Sequence, residues 1–322
     1  MKGINDFMSR KEDLEKGFLR GELSDYAVYT ALAGEERNQE LRRVLQSLAG
    51  EEKGHIGIWR SLLGGKGERV RGPLLMWPRV LFYRLVRRVF GIAFTVRLLE
   101  LNEAEGLRKY EEALRGAGYS EGERKYARMI IGEETGHEEV LSRSVSKYEG
   151  DLNYIESTIL GLNDGLVEIL AVIAGIATVS TTSLIVVIIG MIAGISGTLS
   201  MAGGVYLSAK SENLVKVAKD GKGVSDGRPS PRIAAYHTGA YYFIGALIAV
   251  LPFLFGLQGI LGIVSSILLV SASLVTASAI VAITSGTSIR QRAVEMLAIS
   301  LSAAFVTILF GTFARLYFGV SI

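Results

Sequence analysis

"GEEKGHIGIW" at residues 50–59 and "GEETGHEEVL" at residues 132–141 are nearly one phrase written twice, and they hold two of the chain's three histidines. In Glu52-x-x-His55 and Glu134-x-x-His137 the side chains stand three residues apart. On a helix that spacing puts both on one face, about a turn apart, within reach of one metal ion. The repeat extends backward: seven residues separate Glu22 from Tyr29 in "ELSDYAVY" and Glu103 from Tyr110 in "EAEGLRKY". Glu22, Tyr29, Glu52 and His55 therefore map onto Glu103, Tyr110, Glu134 and His137 at offsets of 81, 81, 82 and 82. A single ExxH arises by chance on charged helices. Two copies, each preceded by the same glutamate and tyrosine, call for a shared purpose.

If each half of the repeat folds as an antiparallel helical hairpin, residues at one level are equidistant from the turn. Glu22 facing Glu52 puts the first turn near residue 37, at Arg37-Asn38. Glu103 facing Glu134 puts the second near 118–119, where "RGAGYS" supplies Gly116 and Gly118 as helix breakers. Two such hairpins predict a four-helix bundle with a Glu from each of two helices and a Glu-x-x-His from each of the other two. That is the ligand set of the ferritin-like di-iron proteins. Six inward ionisable residues need metal to offset the cost of their burial. Carboxylate and imidazole donors suit iron or manganese rather than copper(I), so the expectation is two irons per bundle, with manganese or zinc as substitutes. Tyr29 and Tyr110, two turns from their glutamates, are either hydrogen-bond donors to the ligands or ordinary amphipathic packing. The long connection between the hairpins also permits a bundle completed by hairpin exchange between two chains.

Past the second hairpin the composition changes. Of 67 charged residues, 52 lie in residues 1–157, 26 acidic and 26 basic, as on a soluble surface. Residues 169–209 and 233–289 contain no Asp, Glu, Lys or Arg. A membrane span needs about 20 apolar residues, and five fit: 157–179, 183–208, 234–256, 259–284 and 294–316. The predicted fold class is all-α: a four-helix bundle over residues 1–150, then a five-helix transmembrane domain over 151–322. The loop between spans two and three carries Lys210, Lys216, Lys219, Lys222, Arg228 and Arg232, and Arg290 and Arg292 precede span five. The positive-inside rule makes these loops cytoplasmic. The expectation is an integral protein of the cell membrane with a cytoplasmic bundle and the C-terminal "FGVSI" outside. The net charge of +3 is too small and too evenly spread to imply a nucleic-acid partner. Without cysteine there is no disulfide framework or Cys-ligated metal centre. The charged N-terminus is not that of a secretory signal peptide.

The apolar stretch at residues 74–100 suggests a sixth span, but Arg79, Arg84, Arg87, Arg88 and Arg97 would each cost about 2.5–3.5 kcal/mol at mid-bilayer. A helix along the membrane surface, or packed on the bundle, is expected instead. Within the first span, Asp164 and Glu168 stand at i and i+4 on one face, and intramembrane carboxylates are functional candidates by default. Met201 in the second span offers a thioether. Gly161-x-x-x-Gly165 and Gly190-x-x-x-Gly194 permit close helix approach and need mean no more than packing. His237, at the start of the third span, has no assigned role.

The N-terminal half resembles the ferritin-like domain of the rubrerythrin group in its E-x6-Y and ExxH pairs, though it lacks that group's Cys-rich electron-transfer module. The phrases "LGLNDGLV" and "SMAGGVYLS" make the C-terminal 165 or so residues similar to the vacuolar iron transporter (VIT) family. Together the halves resemble the membrane-bound ferritin-like proteins of bacteria and archaea. The VIT resemblance implies a dimeric, proton-coupled exporter of Fe2+ from the cytoplasm, with Mn2+ as a second candidate cargo, and carries over Asp164 and Met201 as pore-lining metal contacts. Two departures matter. Val205 stands where that family usually has a glutamate, so Glu168, a turn beyond Asp164, becomes the candidate stand-in. The loop between spans two and three is also too poor in carboxylates to be the family's glutamate-rich metal-collecting module, a job the bundle is placed to do. Three functions compete: an iron exporter whose bundle captures or oxidises Fe2+, a membrane-anchored di-iron oxidase or peroxidase, and a transporter gated by metal in the bundle. The first is favoured over the second, since an anchor has no use for Asp164 and Glu168, and the sequence does not separate the first from the third. Enzymatic activity is left open, with a ferroxidase as the candidate.

Overall fold

The computed structural model describes residues 2–64, 67, 76–116, 119–180, 182–220 and 230–319. Among them are nine helices and no strand. The chain divides into two compact units, Met1–Glu149 and Gly150–Ile322.

The first unit holds α1 (Lys2–Glu35), α2 (Gln39–Leu63), α3 (Trp77–Gly116) and α4 (Glu121–Ser146). The first turn falls where the hairpin geometry predicts. Asn38 caps α2, its side-chain oxygen accepting from the backbone amides of Glu40 at 2.9 Å and Leu41 at 3.3 Å, which satisfies donors that a helix start leaves free. Arg87 closes the end of α1, donating to the carbonyls of Leu32 and Glu35 and pairing with Glu36. At the second turn Ser120 and Glu123 form a capping box that starts α4. Of the expected breakers there, Gly116 ends α3 and Gly118 lies outside the described residues.

Apolar side chains fill the bundle in two separate layers. One contains Val28, Leu32, Leu45, Leu99 and Leu141, and the other Leu19, Ile56, Trp59 and Ile130. On every helix the repeated glutamates or histidines fall between residues of these two layers, so the ionisable groups form a polar slab between apolar walls. The stretch at 74–100, described from Met76 onward, packs Tyr83, Val86, Val96 and Leu99 into the bundle. Gly91 interrupts α3 with φ 81° and ψ −175°, a conformation open only to glycine. The break separates a leading segment from the one that carries Glu103 and Tyr110.

The second unit holds α5 (Glu149–Ile176), α6 (Ser183–Asp220), α7 (Pro231–Leu254), α8 (Gly259–Ser285) and α9 (Ile289–Phe318). All five are long and apolar enough to cross a bilayer, in the number and order expected. Lys222 and Arg228, counted above for orientation, lie outside the described residues. The glycine pairs act through packing. A Cβ at Gly165 would sit 2.1 Å from the Tyr242 carbonyl oxygen, and one at Gly161 2.7 Å from that of Thr238, so α5 and α7 meet backbone to backbone. Gly190 and Gly194 likewise make room for Val250 and Ala246.

Candidate metal centre and membrane cavity

The polar slab brings all six predicted ligands together within one chain. Glu22, Glu52, His55, Glu103, Glu134 and His137 are all buried, His55 completely. Their donor atoms form two sets, Glu22–Glu52–His55–Glu134 and Glu52–Glu103–Glu134–His137, each with its atoms within 4.8 Å of one another. Glu52 and Glu134 belong to both sets, as bridging carboxylates would. His55 Nδ1 lies 3.0 Å from Glu134, 3.5 Å from Glu22 and 3.6 Å from Glu52. His137 Nδ1 lies 3.4 Å from both Glu52 and Glu134. Despite this crowding, neither Nδ1 and neither oxygen of Glu52 has an aligned hydrogen-bond partner. Buried polar atoms are seldom left so. Donors that converge without bonding one another fit a pair of shared cations, each facing three carboxylates and one imidazole.

The surrounding contacts cross between the hairpins. Tyr29 of α1 donates to Glu103 of α3, and Tyr110 of α3 donates to Glu22 of α1. The tyrosines are therefore hydrogen-bond donors to the predicted ligands as well as packed side chains. They are not equivalent: Tyr110 also accepts from Trp59 Nε1 at 3.1 Å and stacks on Phe18. A further reciprocal pair escapes the motif reading. His55 Nε2 donates to Glu133 at 2.8 Å and His137 Nε2 to Glu51 at 3.0 Å. Both glutamates are half-exposed and directly precede Glu52 and Glu134. The signal was in the doubled "GEE" of the repeated phrase. By holding Nε2, each glutamate directs Nδ1 of the opposite histidine to the centre.

Charge in the slab is divided. Burial, reinforced by Glu52 for one and Glu134 for the other, raises Glu22 and Glu103 well above the usual carboxylate range, so both keep their protons. Burial also works to raise Glu52 and Glu134, but contacts with the two histidines and with the neighbouring Glu22 or Glu103 overcome it and hold both low. Burial disfavours imidazolium, yet the carboxylates around His55 push it up strongly, and Glu134 and Glu52 push His137 up to about 11. The directions set carboxylates at Glu52 and Glu134 against two rings that favour the imidazolium form. Two divalent cations against four carboxylates and two neutral imidazoles would be neutral. Burial above all raises Tyr29 and Tyr110, keeping both phenols protonated as donors. A cavity of about 700 Å³ lined by Asp13, Asp25, Glu105 and Lys109 reaches Glu22, Glu103 and Glu134.

The span unit is arranged differently. Glu168 and Met201 line a cavity of about 700 Å³ together with Ser200, Val205, Ser208 and Tyr242. Glu168 and Val205, from different helices, thus line the same cavity. Tyr242 was not legible as a site residue. Its hydroxyl donates to Glu168 at 2.6 Å, and a Cβ at Gly197 would lie 2.1 Å from that hydroxyl. Asp164 is exposed on the same face of α5, a turn from Glu168, and is not part of the cavity wall. His237 packs its ring 5.6 Å from those of Tyr154 and Tyr236, as an aromatic contact.

A carboxylate–histidine bundle followed by five apolar helices defines an integral membrane protein with a metal-binding domain. Residues 14–145 match the rubrerythrin family model, and residues 155–220 and 213–312 match that of the VIT family. No curated protein matches the chain. The chain is a fusion of a rubrerythrin-family, ferritin-like di-iron domain with a VIT-family membrane domain. The two matches associate it with membrane metal transport and with di-iron binding.

Proposed function

We propose that the protein exports ferrous iron from the cytoplasm in exchange for protons, acts as a homodimer, and uses its bundle to capture the ion before transport. The observation that carries this reading is the cavity between α5, α6 and α7, lined by a carboxylate held by Tyr242 and by a methionine inside a helix group long enough to span a bilayer. Such a wall can replace part of a cation's hydration shell, and a carboxylate there can carry either a proton or a metal ion. The homodimer is supported by Asp164 and Glu168, both exposed in the single chain. Carboxylates at hydrocarbon depth do not face lipid, so a second copy closing over that face would give them polar surroundings. The loop charges support a cytoplasmic bundle. Glu22, Glu52, His55, Glu103, Glu134 and His137 would hold two metal ions there, and as iron these would supply Lewis acidity and one-electron redox chemistry. Tyr29 and Tyr110 would orient the outer glutamates, and Glu51 and Glu133 the histidines.

A second reading is a membrane-anchored di-iron oxidase or peroxidase, favoured by the contact of Trp59 with Tyr110 and of Tyr110 with Glu22, a run of oxidisable aromatics ending on a ligand. Flux into proteoliposomes under an imposed pH gradient separates the two. Transport predicts Fe2+ movement that follows the gradient and slows in a His55→Ala, His137→Ala protein. Absence of flux together with oxygen or peroxide consumption would select the oxidase.

A further inference from the structure

The leading segment of α3, before Gly91, presents a face that neither the bundle core nor the metal centre uses. On its inner side Tyr83 and Val86 are buried, Arg79 pairs with Asp25 at 2.8 Å, and Arg87 holds the end of α1. On its outer side stand Trp77, Leu81, Phe82, Leu85 and Val89, each between 50 and 62 % exposed. Residues 77, 81, 85 and 89 recur every four positions, so they form one continuous stripe along the helix. The other large apolar side chains exposed on this unit among the described residues, Leu14, Tyr126, Met129 and Val140, are all less exposed than these. A contiguous apolar face of this kind marks an interaction surface.

The residues beside the stripe identify its partner. Arg84 reaches back to Glu35 at 2.7 Å with both groups near half exposure, while Arg88 is exposed without an ion pair among the described residues. Residues 69–99 contain no Asp or Glu. A tryptophan at one end, aliphatic and phenylalanine side chains along the stripe, and arginines at its edge match a helix lying in the interface of a bilayer. A second copy laid on the same stripe by two-fold symmetry would set arginine against arginine with no carboxylate in the stretch to answer them. The chain carries five spans, so a bilayer is always present. We propose that the Trp77–Val89 stripe inserts into the headgroup–acyl boundary of a lipid surface, with Arg84 and Arg88 on anionic headgroups. This holds whichever way the ion moves, and does not rest on the transport reading.

The chain's two tryptophans make the test specific, because Trp59 is 1 % exposed inside the bundle and Trp77 is 62 % exposed. The full chain, free of metal, is reconstituted in phosphatidylglycerol–phosphatidylcholine vesicles, with and without acyl-chain bromination. Brominated lipid should quench most of the emission that Trp77→Phe removes and leave the Trp59 component unchanged, which also reports an intact bundle. Arg88→Gln should lower surface occupancy by about fivefold, the worth of one arginine near an anionic surface, and a larger loss, that of Arg84 and Arg88 together, should follow when wild-type protein is moved to phosphatidylcholine alone. Trp77 quenched by aqueous iodide and not by bromolipid would overturn the proposal, leaving the stripe in water. Trp77 shielded from both quenchers would also overturn it, assigning the stripe to a protein partner.

Discussion

The bundle and the span unit both place carboxylates in low-dielectric surroundings, and they handle the cost in opposite ways. In the bundle the two outer glutamates and the two histidines are answered across the hairpins: Tyr29 on Glu103, Tyr110 on Glu22, Glu133 on His55 and Glu51 on His137. The set is closed and supplied by one chain, so no hairpin exchange is needed to complete it. In the span unit, Tyr242 bonds to Glu168, while Asp164 stands exposed a turn away. A closed, internally compensated site suits holding ions. A half-open one suits passing them.

Breaking the open site should have the largest effect. Asp164→Asn is expected to abolish Fe2+ flux in proteoliposomes and Glu168→Gln to impair it severely. Glu168→Gln combined with Val205→Glu should recover part of the loss, because both positions line one cavity. A Glu168→Gln protein with full maximal rate and full proton coupling would rule out the replacement of one carboxylate by the other.

Next in size is the support of Glu168. Gly197→Ala puts a methyl group where the Tyr242 hydroxyl lies and should reduce the maximal rate sharply. Tyr242→Phe leaves the packing and removes only the hydrogen bond, so a loss on the order of tenfold, about 1.4 kcal/mol, is expected. Equal rates for Tyr242→Phe and wild type would show that the hydroxyl does not position Glu168.

In the closed site the effects are smaller and are read in affinity. Glu51→Gln or Glu133→Gln should weaken metal binding about 10- to 100-fold, as outer partners of ligating histidines do. The loss should appear at the set containing the opposite histidine. Tyr110→Phe should cost more stability than Tyr29→Phe, since it also strands the Trp59 N–H, with a difference of about 1–3 kcal/mol in chemical denaturation. Without metal the centre is also a source of pH dependence. His137 rises from an unfolded value of about 6.5 to about 11. Its proton therefore stabilises the fold fully below about 6.5, and the contribution is gone once the pH has risen through 11. Metal-loaded protein, with both imidazoles neutral, should lack that alkaline loss.

What could be read from the sequence depended on range. ExxH and E-x6-Y are helical spacings, so four side chains per hairpin and their pairing were legible from one strand of text. Apolar runs gave the five spans for the same reason. Tyr242 was not legible, because its partner lies 74 residues away on another helix and its reach depends on a third, through Gly197. Glu51 and Glu133 were visible in the repeated phrase, but nothing local tells which of two adjacent glutamates points inward. Only the helix phase, fixed by the apolar layers on either side, assigns Glu52 and Glu134 to the interior. The kink at Gly91, which ends the exposed stripe of α3, likewise rests on a backbone conformation that an isolated glycine in an apolar run does not announce.

The central claim is that six residues of one chain form a closed two-metal site, and anaerobic titration with Fe2+ near neutral pH tests it most directly. The full-length protein should bind two more ions than a His55→Ala, His137→Ala variant does. Loading should release protons from Glu22 and Glu103 and from the two imidazole rings, all of which are shifted toward their protonated forms, so affinity should fall as the pH is lowered. Saturation unchanged by removing both histidines, or loading without proton release, would contradict the account.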